Sequence, residues 1–311
     1  MTPLHKVPQN FQQYFENSMQ PVGYAGNRLL TRLEEMEHGD LGYTTGIASL
    51  DEYCRLYPTE MTTIAARSAT GKTALGMQIV GSVIQQMRNR QQPGRVCVFY
   101  AEMDTETLLL RDACAIEGVS LWSLQTGAAS ETTFHRVRDR VVSLKANEIL
   151  MVDDTSAPTL EHMAQQLDII QEEVAPIRMV LFDYAELAGE WDKGESLRIA
   201  KISRGLKALA KRFKVPVVVL SQLNRDIEGR ENKRPTMRDL MYGGEREPDR
   251  IIVMVRPWLY DDTEQKDRVD VTIVKNRNGP IGTCCMLFEG ETMTFKSADK
   301  ERFDLNGNTD S

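Results

Sequence analysis

The sequence predicts an α/β fold in which a mostly parallel sheet is flanked by helices, and three observations carry that expectation. Apolar, β-branched runs alternate with amphipathic stretches through most of the chain. One junction between such a run and such a stretch bears a Gly71-Lys72-Thr73 loop, and beyond about residue 250 the pattern turns to strands separated by turns. Short apolar runs that do not alternate mark strands buried on both faces, and strand–helix alternation is the rhythm of parallel βαβ units. At 311 residues, 41% of them hydrophobic, the chain can bury a full core. One large domain with short appendages is expected.

Taken in order, the first helical signal lies at 27–37, where Leu29, Leu30, Leu33 and Met36 recur at helical spacing. A strand-like run at 61–66 leads through the loop into a helix at 72–90. Buried strands are expected at 95–100, 148–152, 179–183 and 215–220, with helices at 105–117, 131–145, 159–174 and 195–214 between them. The closing strands at 251–255, 269–275, 283–288 and 292–295 should pair as antiparallel hairpins. The clearest turn is Asn278-Gly279, the strongest short hairpin signal. The polar tail from 297 to 311 is expected to be flexible.

Composition removes several classes of function. No apolar run approaches the ~20 residues that cross a bilayer, and the N-terminus lacks the apolar stretch of a signal peptide, so no membrane partner is expected. The five cysteines form no C-x-x-C pair, which indicates neither a disulfide framework nor a zinc site. A formal charge of −7 argues against indiscriminate coating of nucleic acid, yet residues 198–238 carry twelve Lys/Arg against three Asp/Glu. That basic segment suits a nucleic-acid backbone. A solvated outer face explains its helical part, Arg198 to Arg212, equally well.

The loop Ala66-Arg67-Ser68-Ala69-Thr70-Gly71-Lys72-Thr73-Ala74 reads as a phosphate-binding loop because it joins a strand to a helix. Its backbone N–H groups and the helix N-terminus would surround a polyphosphate, Lys72 would reach the β/γ oxygens, and the Thr73 hydroxyl would ligate Mg²⁺. Ala66 stands where the generic pattern has its first glycine.

In parallel sheets ligands collect at the carboxyl ends of the strands, so polar residues that close apolar runs are the next candidates. Asp183 is placed to hold a Mg²⁺ water, Glu102 to polarise the water that attacks a γ-phosphate, and Gln222 to sense that phosphate. Asp153 and Asp154 read as turn or cap residues. Lys275 and Arg277 would project near the tip of the hairpin at Asn278-Gly279 and could neutralise a phosphoryl group in their own site or a neighbour's.

Several strings together closely resemble the C-terminal motor domain of DnaB-type replicative DNA helicases, a RecA-like P-loop NTPase family. They include Thr45-Gly46-Ile47, Ala65-Ala66-Arg67, Gly71-Lys72-Thr73-Ala74-Leu75, Glu102-Met103, Asp183-Tyr184, Ser221-Gln222-Leu223-Asn224-Arg225, Lys233-Arg234-Pro235, Asp239-Leu240 and Arg277-Asn278-Gly279-Pro280-Ile281-Gly282. The resemblance implies an N-terminal arm with a linker helix at 1–43, an ATPase/helicase domain at 44–296 and a tail at 297–311. It also implies ATP hydrolysis, catalysed by Glu102, Lys72 and Gln222 with Lys275 and Arg277, and a Mg²⁺ ion on Thr73 and Asp183. The expected assembly is a ring, usually a hexamer, that threads single-stranded DNA and unwinds duplex during replication. A primase or helicase loader is an expected partner, and the cytoplasm of a bacterial or phage-infected cell the expected location.

Two departures qualify that picture. The family's central DNA-binding loop is here Met241-Tyr242-Gly243-Gly244-Glu245-Arg246, where Gly243, Gly244 and Arg246 could meet phosphates and Tyr242 could stack on a base or serve as a buried anchor. About forty leading residues cannot hold the usual N-terminal collar, so only the linker helix is expected there. A RecA-like ATPase that binds or regulates a replicative helicase or DNA, without unwinding, is the alternative function.

Overall fold

The computed structural model describes residues 22–38, 41–183, 188–189, 195–224, 227, 229–230, 235–240 and 244–298. The chain divides into two units, 1–42 and 43–311. In the first, helix α1 (Val22–Glu37) exposes Leu29, Leu30, Leu33 and Met36, each about half accessible or more. The helix begins five residues before the sequence predicts. Gly23 and Gly26, each costing ~1 kcal/mol in a helix, obscured that start.

The second unit is built on a nine-stranded sheet. Its parallel half comprises β3 (Met61–Ala66), β4 (Arg95–Tyr100), β5 (Leu150–Asp153), β6 (Ile177–Asp183), β7 (Val217–Gln222) and β8 (Arg250–Val255). The antiparallel part adds β9 (Arg268–Asn276), β10 (Gly282–Glu289) and β11 (Thr294–Ser297). Across the sheet the order is β11-β10-β9-β8-β3-β7-β6-β4-β5. A two-stranded ribbon, β1 (Tyr43–Thr44) with β2 (Arg55–Leu56), and the short helix α2 (Ala48–Asp51) precede the sheet. None of these three short elements has enough periodicity to be read from sequence.

Successive residues of the parallel strands enter opposite cores. Val96, Val98 and Tyr100 face one cluster with Leu75, Ile79, Val83 and Met87 of helix α3 (Lys72–Asn89). Cys97 and Phe99 face the other, with Met163 and Leu167 of α7 (Leu160–Ile169) and Ile202, Leu206 and Leu209 of α8 (Glu195–Phe213). Burial on both faces is why the strands read as unbroken apolar runs. A further layer, α4 (Thr105–Glu117), α5 (Leu121–Gln125) and α6 (Glu131–Leu144), closes over Ala113, Cys114, Val119 and Val137. Side-chain caps start three of these helices: Asp104 accepts from the Thr107 amide, Ser130 from Thr133 and Thr159 from His162.

The differences from the sequence reading are local. The helix expected over 159–174 ends at Ile169 and widens into a π-turn, Ile170–Val174, before Pro176. Strand β11 starts at Thr294 rather than 292, because Met293 adopts a positive φ of 56° in the turn. The expected flexible tail beyond Ala298 lies outside the described residues. No described helix is long and apolar enough to cross a membrane.

Candidate nucleotide site

The phosphate loop leaves the sheet at Ala66, which pairs with Gln222 on β7 and Met254 on β8. The Leu223 amide donates to the Ala66 carbonyl at 3.2 Å, and the Arg67 guanidinium donates to the Leu223 carbonyl at 2.9 Å. Both bonds tie the loop to the end of β7. Ala66 keeps its extended strand conformation, so a side chain costs nothing there, and the left-handed turns fall at Ala69 (φ 63°) and Gly71 (φ 95°). Gly71 caps α3, and a Cβ there would lie 2.8 Å from Phe295 Cζ and 3.0 Å from Phe288 Cε2. Lys72, Thr73 and Ala74 form the first turn of that helix, whose N-terminal amides and positive dipole end favour an anion.

Beside it, the Thr73 hydroxyl donates to Asp183 Oδ2 at 2.6 Å. Asp183 is fully buried at the end of β6, level with Tyr100 of β4. Burial raises the Tyr100 phenol above its usual range, and the nearby Asp183 and Glu102 carboxylates raise it further. Glu102 itself is exposed just past β4, on a loop whose Ala101 amide donates to the Asp183 carbonyl at 3.0 Å. The adjacent strand ends of β3, β7, β6 and β4 thus bring the loop, Gln222, Asp183 and Glu102 to one edge of the sheet. Asp153 accepts from the Thr155 amide and Asp154 from the Thr105 amide and hydroxyl, the turn and capping work expected of them.

The sequence reading missed Arg256, Phe288 and Phe295. Arg256 Nη1 donates to the Ala69 carbonyl at 3.1 Å, and its guanidinium lies 5.0 Å from the centre of the Phe288 ring, which packs on Phe295. Arg256 and Phe288 border a cavity of about 580 Å³ that also touches Lys266, Asp267 and Lys296. A flat aromatic and a guanidinium beside a phosphate loop suit a stacked nucleobase. Arg256 closes an apolar run, the same signal that marked Asp183. Assigning that run only to antiparallel hairpins hid it, whereas β8 is parallel to β3.

Lys275 and Arg277 lie at the opposite edge. The Arg277 amide donates to the Asp249 carbonyl, and the Asp249 amide to that of Met61, the first residue of β3. Arg277 is therefore level with Met61, five residues or about 17 Å along β3 before the loop. Its own chain's phosphate loop is out of reach. Lys275 Nζ donates to the carbonyls of Glu245 (2.8 Å) and Arg246 (3.0 Å), and burial pulls its pKa down, with Arg277 adding to the effect. Exposed Arg246 thus sits beside the two cations, with Gly244 two residues before it in the chain, whereas Tyr242 and Gly243 lie outside the described residues.

Much of the basic face of α8 is engaged within the chain. Lys207 pairs with Asp249 at 2.6 Å, Arg212 with Asp168 at 2.7 Å and Arg204 with Glu247 at 3.6 Å. Those carboxylates account for three of the six cations without invoking nucleic acid.

The fold, with its loop between β3 and α3, is that of the RecA-like P-loop NTPases. The model of the DnaB-like helicase C-terminal domain matches residues 42–297, and the chain belongs to that family. It is 32% identical over 302 residues to the replicative DNA helicase DnaB of Haemophilus influenzae, covering 95% of this chain and 62% of that one. It is also 32% identical over 274 residues to the replicative DNA helicase DnaC of Bacillus subtilis, covering 86% and 59%. The chain spans about three fifths of the length of these curated relatives. Among solved structures, an isolated ATPase domain superposes with a TM-score of 0.77 at 26% identity, covering 88% of this chain and 98% of that one. A DnaB-like replicative helicase, described with its interactions with primase, gives 0.76 at 25%, covering 88% and 66%.

Proposed function

We propose that this chain is the ATP-driven motor of a DNA helicase, translocating on single-stranded DNA and unwinding duplex during replication. The observation that carries the reading is the split placement of its site. The loop, Asp183, Glu102 and Gln222 share one edge of the sheet, while Lys275 and Arg277 occupy the other. A complete site then needs two chains, as in a ring, here taken as a hexamer with α1 as the arm between neighbours. The 1–43, 44–296 and 297–311 division belongs to the same reading.

Within a site, the backbone of residues 66–74 and Lys72 hold the phosphates, and Arg256 with Phe288 stacks the base. Thr73 and Asp183 offer hard oxygen donors 2.6 Å apart in a buried corner, a donor set that fits Mg²⁺. Bound there, the ion would neutralise charge on the β/γ oxygens. Glu102 orients and deprotonates the attacking water, and Gln222 responds to the γ-phosphate. Arg277 and Lys275 of a second copy stabilise the charge that develops on transfer, a contribution of about 10³-fold or more for an arginine so placed.

Gly244 and Arg246, with Tyr242 and Gly243, form the loop assigned to the DNA strand. Its link to the two cations gives strand and nucleotide a common element. A primase or a loader is the expected partner, in the cytoplasm of a bacterial or phage-infected cell. Steady-state ATP hydrolysis across protein concentrations, with and without single-stranded DNA, tests the proposal. Turnover per subunit should climb with concentration and with DNA, and the assembled protein should separate duplex strands. Turnover indifferent to both would overturn it.

A further inference from the structure

We propose that Asp249 is a positioning residue for Arg277, held for that task by Lys207; the inference rests on Arg277 acting in the site of a second copy. Asp249 sits just before β8, with its side chain 9% exposed. One carboxylate oxygen, Oδ2, is committed to the body of the protein. It accepts from Lys207 Nζ at 2.6 Å and from the Met61 amide at 2.8 Å, and Lys207 also donates to the Thr59 carbonyl at 2.7 Å. A carboxylate gripped at one oxygen by an ammonium and an amide cannot rotate, so its second oxygen has a fixed direction.

That second oxygen, Oδ1, lies 3.5 Å from Arg277 Nη1, and the Arg246 carbonyl accepts from Nη2 at 3.3 Å. The Arg277 amide is pinned to the Asp249 carbonyl at 2.9 Å, so the same residue holds backbone and guanidinium. These contacts occupy two of the five N–H donors, and the side chain remains 51% exposed, free to present the rest to a phosphoryl group. The turn beyond is held as firmly. Asn278 Nδ2 donates to buried Glu60 at 2.6 Å and Asn276 Nδ2 to the Pro280 carbonyl at 2.9 Å. A long, flexible arginine gains most from such support, since a misplacement of ~1 Å can cost about 100-fold in rate.

Complementation between subunits isolates the role. Asp249→Asn keeps the shape of the side chain and should lower kcat for ATP about 10–100-fold with KM nearly unchanged. Mixed with Lys72→Ala, which still supplies an intact Arg277, it should recover activity; mixed with Arg277→Ala it should not, because every site then lacks a competent finger. A merely structural lesion would fail in both mixtures. Lys207→Met, which loosens Asp249 without touching Arg277, should fall in the same complementation class and serves if Asp249→Asn does not fold. Normal turnover in both variants, or recovery with Arg277→Ala, overturns the proposal. If Arg277→Ala and Lys72→Ala themselves fail to complement, the two-chain site falls, and this inference with it.

Discussion

Gly71 and Ala66 bracket the phosphate loop, and only one of them needs to be glycine. Gly71 combines a φ of 95° with two phenyl rings against its Cα, whereas Ala66 is extended strand. Gly71→Ala should therefore cost roughly 1–3 kcal/mol in stability and raise KM for ATP sharply. Ala66→Gly should cost about 1 kcal/mol or less. Thermal unfolding and ATP titration of the pair check this contrast. A second residue-scale expectation concerns Asp112 on α4, whose carboxyl is pushed up to about 6 by burial, outweighing the opposing pull of Arg140. The folded state holds that proton more tightly than the unfolded chain, so stability falls as pH rises from about 4 to about 6. Each pKa unit is worth about 1.4 kcal/mol. Asp112→Asn should flatten the profile over that window and raise Tm at about pH 8, well above both pKa values; a Tm no higher than the parent's would contradict it.

At the scale of elements, the strands and long helices were legible because each satisfies its own periodicity, and the structure adds the side-chain caps Asp104 and Ser130 where two of those helices begin. Glycines obscured the start of α1, a π-turn ended α7, and the parallel pairing of β8 left Arg256 unnoticed. The basic face of α8 shows the same limit, because charge spacing cannot distinguish a solvated stripe from cations paired with Asp249, Glu247 and Asp168. Helix α1 carries a clear expectation of its own. An exposed run of Leu29, Leu30, Leu33 and Met36 suits burial against a second copy. Removing residues 1–40 should shift the protein to smaller species in sedimentation and lower turnover at a given concentration. An unchanged oligomer would remove that role.

For the whole molecule, strand direction is what makes the proposed activity depend on assembly, because β9 runs antiparallel to β8. Strands β3, β7, β6 and β4 end at one half of the proposed nucleotide site, and the antiparallel return from β8 to β9 carries Lys275 and Arg277 to the opposite end of the strands. A protein built this way should be nearly inactive when dilute, with turnover rising steeply over the concentration range of assembly. Covalent crosslinking of assembled subunits should abolish that dependence.

The sequence by itself determined the α/β class, the phosphate loop and the polar residues that end its strands. These are local properties of periodicity and of residues at chain junctions. Tertiary structure alone decided that Thr73 meets Asp183, that Arg256 and two phenylalanines border the loop, and that Asp249 stands between Lys207 and Arg277. Those contacts join residues 28 to 224 positions apart, and strand order, which no local pattern encodes, brings them together.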